Sequence, residues 1–279
     1  MAGTGRYTIG AVKLGTTVIP QIISSNVDEG LQAILAGGSG GVYNTFSADG
    51  RYAPRVRFST RAVKTALGLC GLLGTSMAVS NGVVYFQQYD SVGTRTAAGC
   101  KTFTFAKGLC LWRGISAPDG GPASAEFELV PVSADGTADT HTEAPNVAIP
   151  DDYADELWMA STPAGAGGWN IDTGIAERLF YATGKPYPTD IAIESIAPVC
   201  NVELLTSLAL GKDETLGSVS LVDASDAGGR GSSPITFTFN KVMSRVGSVS
   251  GGAGEAVHGV QIRCLYDKTN EPIAITGLT

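Results

Sequence analysis

Lys101-Thr-Phe-Thr-Phe105 and Ile235-Thr-Phe-Thr-Phe239 are nearly the same five residues, 134 positions apart (235 − 101). In each, Phe alternates with Thr, the period of a β-strand with one face toward a core. Phe103 and Phe105 would share one face and Thr102 and Thr104 the other. The same markers follow each strand in the same order. Ala106-Lys107 leads to Arg113, Gly120-Gly121, Ala125 and a strand ending near Asp135. Asn240-Lys241 leads to Arg245, Gly251-Gly252, Ala256 and a strand ending near Asp267.

Upstream, Ala53-Pro54 and Ala197-Pro198 stand 144 positions apart (197 − 53), each before a strand and an apolar stretch. Two markers in one order suggest an internal repeat. The repeated unit reads as strand, short helix, strand, then a hairpin with a Gly-rich tip. The reading is mainly β, with β-sandwich or barrel modules carrying a short helix each. Residues 1–135 form a first module, 136–185 a linker or insertion, and 186–279 a second module. The alternative is one β-sandwich with similar hairpins.

Other segments fit a β-rich chain. Tyr7-Thr-Ile-Gly10 and Val12 to Ile19 read as short strands bounded by Gly and Pro20. Pro54-Arg-Val-Arg-Phe-Ser-Thr60 alternates Val56 and Phe58 with Arg55, Arg57 and Ser59, a half-buried strand. A helix follows over about 60–70, capped by Thr60 or Ser59. Val63, Ala66, Leu67 and Cys70 make its apolar face, and Gly71 and Gly74 close it. Asn26 to Ala36 predicts a second short helix, with Asn26 as N-cap, and Ile175 to Tyr181 a third. Residues 81–89, 100–115 and 123–132 read as strands, with Pro131 marking an edge or strand end. Residues 133–152 are polar and read as a linker stiffened by Pro145 and Pro150.

Composition sets the outer bounds. Of 279 residues, 43% are hydrophobic and only 16% charged, against about 25% charged in an average domain. The 37 glycines make up 13% of the chain (37/279), nearly double the average of about 7%. A chain of this size buries about 75% of its unfolded surface and needs no staples. The 19 basic and 26 acidic residues leave a net charge of −7. No basic run supplies the footprint that phosphate-gripping proteins need. The start of the chain lacks a basic and apolar signal pattern, so reduced, buried thiols are expected at Cys70, Cys100, Cys110, Cys200 and Cys264. Structural thiols fit their unpaired spacings better than metal or redox roles. The most apolar window, Leu67 to Val79, is too short to span a membrane and reads as core.

No enzyme signature stands out. His141 and His258 are the two histidines; no HExxH or Walker A pattern accompanies them. Gly251-Gly-Ala-Gly254 lacks a following Lys-Ser/Thr and reads as a hairpin tip. Asp151-Asp-Tyr-Ala-Asp-Glu156 is the densest acidic cluster, either a solvated face or a weak divalent-ion site. Trp112, Trp158 and Trp169 suit core or interface packing, or a sugar-stacking platform. No residue is singled out as catalytic, cofactor-binding or metal-ligating.

Pro54 to Leu67, where a strand runs directly into a short helix, resembles a stretch common in tailed-phage tail proteins. Ile235-Thr-Phe-Thr-Phe239 through Ile262-Arg-Cys-Leu-Tyr-Asp267 is similar to the closing hairpin of a tail-tube module. The resemblance implies a structural virion protein of the phage tail, made in the host cytoplasm. It would self-associate into rings that stack as a tail tube and contact other tail proteins. A two-module chain would form a trimeric ring with pseudo-sixfold symmetry, and a one-module chain a hexamer. DNA would pass without specific binding, repelled by an acidic lumen. Long hairpins at 114–124 and 246–256 would order on stacking. Alternatives are a distal-tail or baseplate ring protein, a capsid-decoration or receptor- or glycan-binding protein, and a hydrolase with an unrecognised carboxylate pair.

Overall fold

The computed structural model describes residues 6–28, 30–31, 33–36, 46–72, 74–76, 81–89, 100–137, 140–145, 147–150, 156–161, 166–204, 217–224, 233–250 and 257–278. The fold is mainly β, with one helix among these residues. The first half holds β1 (Arg6–Leu14), β2 (Thr17–Ile19), β3 (Ile22–Asp28), β4 (Ala33–Ala36), β5 (Phe46–Asp49) and β6 (Arg55–Thr60). Then come α1 (Val63–Cys70), β7 (Thr75–Ser76), β8 (Gly82–Tyr89), β9 (Lys101–Phe105), β10 (Gly108–Ala117), β11 (Ser124–Pro131) and β12 (Thr142–Pro145). The second half holds β13 (Trp158–Ser161), β14 (Ala166–Asp172), β15 (Ala176–Phe180), β16 (Asp190–Ser195) and β17 (Val199–Leu204). It closes with β18 (Ser218–Asp223), β19 (Ile235–Phe239), β20 (Val242–Ser250), β21 (Val257–Cys264) and β22 (Ile273–Thr276).

The largest sheet runs β20-β21-β17-β14-β10-β11-β6-β3, with β7 joined to β10 off that path. Two smaller sheets run β12-β9-β8-β1-β2 and β13-β18-β19-β22, and β4-β5 and β15-β16 pair as two-stranded sheets. One half of the large sheet reads β10-β11-β6-β3 and the other β20-β21-β17-β14. The smaller sheets read β12-β9-β8-β1 and β22-β19-β18-β13. Each Phe-Thr-Phe strand therefore lies in a small sheet. Two residues later the chain turns a corner into the large one.

Finer details fall at matching positions. β3 and β14 lie 144 residues apart (166 − 22), as do β6 and β17 (199 − 55). β10 and β20 each carry a register shift, between Trp112 and Gly114 and between Val246 and Ser248. After each corner, Val132 N–H donates to Lys107 O (3.0 Å) and Leu265 N–H to Lys241 O (2.7 Å). Gly30 and Gly174 both have positive φ, +60° and +56°. A Cβ there would come within 2.2 Å of Ala53 O and 2.4 Å of Ala197 O. An asparate carboxylate, Asp28 or Asp172, accepts the glycine N–H in each case, at 2.8 and 2.9 Å.

The main apolar core runs through both halves, from Ile9 and Val12 to Phe239 and Ile273. Phe237 of the second half is fully buried against Trp112 and Trp169, with ring centroids 5.9 and 5.5 Å away. Phe105 and Phe239 are buried too, but Phe103 is only half-buried, between Phe86 and His141. α1 lays Val63, Ala66, Leu67 and Cys70 onto β10 and β11, the face its periodicity predicts. Gly71 ends it, its N–H donating to Leu67 O at 2.8 Å.

Several expectations need correction. Asn26 to Ala36 is not a helix: β3 spends its N–H and C=O groups on β6 through Asp28, and β4 follows after the turn at Gly30. Ile175 to Tyr181 is not helical either. β15 alternates half-buried and exposed side chains there and pairs with β16. Thr60 and Ser59 do not cap α1; Ala62 is its N-cap, and Thr60 Oγ1 accepts the Ala62 N–H (3.0 Å) while donating to Pro20 O (2.6 Å). Within 133–152, β12 pairs with β9, and Ser133 N–H donates to Pro188 O at 2.7 Å. Pro131 does mark a strand end, as expected, although β11 is an interior strand between β10 and β6. The 114–124 hairpin is closed, with Gly121 N–H donating to Pro118 O at 3.4 Å. Residues 251–256 of the other hairpin lie outside the described residues.

Candidate functional site

The acidic cluster 151–156 is described only at Glu156. Its carboxylate accepts the backbone N–H of Lys64 (2.8 Å) and Thr65 (3.1 Å), the Thr65 hydroxyl and Trp158 Nε1 (2.8 Å). Glu156 thus caps α1 from about 90 residues away, a placement the positive end of a helix favours. Among the described residues no three His, Cys, Asp or Glu side chains converge as a metal set.

Trp112, Trp158 and Trp169 are all buried. Trp112 Nε1 donates to Gly114 O at 2.8 Å. The five cysteines are free and buried, and Cys70 Sγ lies 3.0 Å from Cys110 Sγ. The hydrogen bond it shares with Cys70, with burial, pushes the Cys110 thiol well up. Burial pushes Cys264 up to about 12 and raises Cys200 further. Such thiols stay protonated and unreactive. His141 stacks against Phe103, ring centroids 4.6 Å apart, and His258 lies in β21 opposite Val249 and Leu204.

Among the described residues, one buried carboxylate cluster is saturated with arginine. Glu128, on β11, is 1% exposed and pairs with Arg55 (3.3 Å), Arg57 (3.0 Å) and Arg113. Glu177, on β15, pairs with Arg113 (2.8 Å) and Arg55. Burial alone would raise the Glu128 carboxyl. Arg113, then Arg55 and Arg57, outweigh it and hold the carboxyl below its usual range. The network ties the β15-β16 hairpin of the second half onto the sheet of the first. Leu111, Val130 and Ile175 form a small apolar cluster beside it.

The joint between the halves is the most informative surface. β10 pairs antiparallel with β14, with Gly114↔Asp172, Ile115↔Ile171, Ser116↔Asn170 and Ala117↔Trp169 opposed. The ends of the large sheet differ: among the described residues β3 pairs with β6 alone and β20 with β21 alone. Exposed apolar side chains gather at those ends. Ile23, Val27 and Leu31 stand on or just after β3, and Met243, Leu265 and Tyr266 on β20 or just after β21. Sequence reading missed all six. The 144-residue offset (171 − 27 and 175 − 31), applied to each, could have flagged Val27 and Leu31 as matches to Ile171 and Ile175.

The face of the large sheet turned from the main core is apolar where Leu111 and Val130 lie under β15 and β16 and polar elsewhere. Ser24 and Ser59 share a hydroxyl hydrogen bond (2.6 Å), and Asn201 donates to Asn170 (3.0 Å). Among the described residues no helix is long and apolar enough to cross a membrane. The chain matches no protein-family model and no curated protein sequence.

Proposed function

We propose that this chain is a non-enzymatic structural protein of a tailed-phage particle, built from two copies of one β module. Its rings stack into a tube through which DNA passes. One observation carries the reading: β10-β11-β6-β3 and β20-β21-β17-β14 stand side by side as one continuous sheet. A wall made by repeating one four-stranded piece is what a ring requires, because each piece presents the same edges to its neighbours. Three chains would supply about 24 strands, a wall about 115 Å round and about 37 Å across, wider once the strands tilt. The polar part of that face suits a wet bore. Its Arg55, Arg57 and Arg113 are held by Glu128 and Glu177, so they offer passing phosphates little free positive charge.

Negative-stain microscopy of the purified protein across concentration tests the reading, beside a duplex-DNA retardation assay. Rings or hollow tubes without DNA retardation are expected. A compact particle that never stacks and binds glycans would overturn it in favour of a decoration or receptor-binding protein.

A further inference from the structure

We propose that β20 of one chain pairs antiparallel with β3 of the next, repeating between chains the β10–β14 joint made inside each chain. The inference rests on the ring reading and names its partner, a second copy of this chain. β20 holds the place of β10 in its half of the large sheet, and β3 the place of β14. Both lack a second partner among the described residues. An open edge of this kind is a template for another strand.

Side-chain exposure points the same way. Val27 is 37% exposed, whereas Ile171, at its position in β14, is 2% exposed beside β10, opposite Ile115. Leu31 is 49% exposed, and its match Ile175 is 7%. On the other end, Leu265 is 41% exposed and its match Val132 is 2%. Tyr266 and Met243 are exposed where Ser133 is buried and Leu109 half-buried. Apolar side chains that one joint covers are uncovered at the free ends, and a second chain supplies the cover.

Transferring the joint's register by the two offsets gives Ser248↔Asp28, Val249↔Val27 and Ser250↔Asn26. Ser248 stands where Gly114 does. A Cβ at Gly114 would lie 2.7 Å from Ile171 O, so the interchain pair sits slightly wider at that point. The two edges differ from each other, so contacts run head to tail, the kind of interface from which a ring is built.

The test is Asn26→Cys with Ser250→Cys in one chain, oxidised mildly and run on a non-reducing gel. Directly opposed antiparallel residues lie about 4.5–5.5 Å apart at Cα, within disulfide reach. The expected result is a ladder of covalent multimers ending in one closed species, at least tenfold above either single variant. Ser24→Cys with Ser250→Cys should give far less. Thermal melts matching the parent exclude misfolding. Cross-linking of Asn26→Cys alone would indicate β3–β3 pairing and overturn the proposal. Rings by microscopy with no ladder would overturn the pairing and leave the ring reading standing. Neither rings nor ladder would remove both.

Discussion

Phe103 and Phe237 occupy matching places in the sequence but different surroundings, so truncating each separates core from surface. Phe237 is fully buried between Trp112 and Trp169. Phe237→Ala removes a ring from a closed site, losing its transfer energy and leaving a cavity, about 3–5 kcal/mol. Phe103 is half-buried beside Phe86 and His141. Phe103→Ala loses about half the transfer energy of a buried Phe and opens no closed cavity, about 1–1.5 kcal/mol. In a chain of this length a kcal/mol moves Tm by about 2 °C, so the shifts are about 6–10 °C and about 2–3 °C. Urea and thermal melts followed by tryptophan fluorescence read both, since Trp112 and Trp169 flank the site. Phe237→Ala within 1 kcal/mol of the parent, or no milder for Phe103→Ala, would refute the packing described.

Three further outcomes follow from named contacts. Glu156→Ala uncaps α1 and should cost about 1–2 kcal/mol in melts, while Asp119→Ala at the exposed turn should be near neutral. The Glu128 carboxyl has a lower pKa folded than unfolded. Its contribution is therefore present above its ordinary value of about 4.5 and is lost as pH falls through the folded value. Tm should fall with acidification, and less steeply in Glu128→Gln. That change should itself cost about 2 kcal/mol at neutral pH, below the ~3–5 of a fully buried pair because Arg57 faces solvent. Finally, Gly174→Ala forces a Cβ against Ala197 O at positive φ and should destabilise by more than about 1–2 kcal/mol; Gly184→Ala, with open space around it, should cost only the φ penalty.

The strand-to-helix passage at 54–70 was legible because both periods are unbroken there. Val56 and Phe58 alternate with arginines, and Val63, Ala66, Leu67 and Cys70 follow the helical spacing. Asn26 to Ala36 misled for a local reason. Asn26 and Asp28 suit a helix start, yet Asp28 ends a strand by taking the Gly30 N–H. Asp172 does the same for Gly174, and the shared Asp-x-Gly at the Ala-Pro offset was the signal available. The cap on α1 was not legible, since Glu156 is distant in sequence and only the fold brings it to Lys64. Neither were the free edges: an exposed Val27 and a buried Ile171 look alike until the neighbouring strand is placed. The fold class could thus be read from periodicity, while the candidate assembly surface needed the strand order.

The most direct measurement is the mass and end-on symmetry of the assembled particle, by light scattering and averaged electron micrographs. A closed ring of three chains showing six similar lobes around a hollow centre is the expected result. A monomer at every concentration, or a particle with no repeated wall, would contradict it.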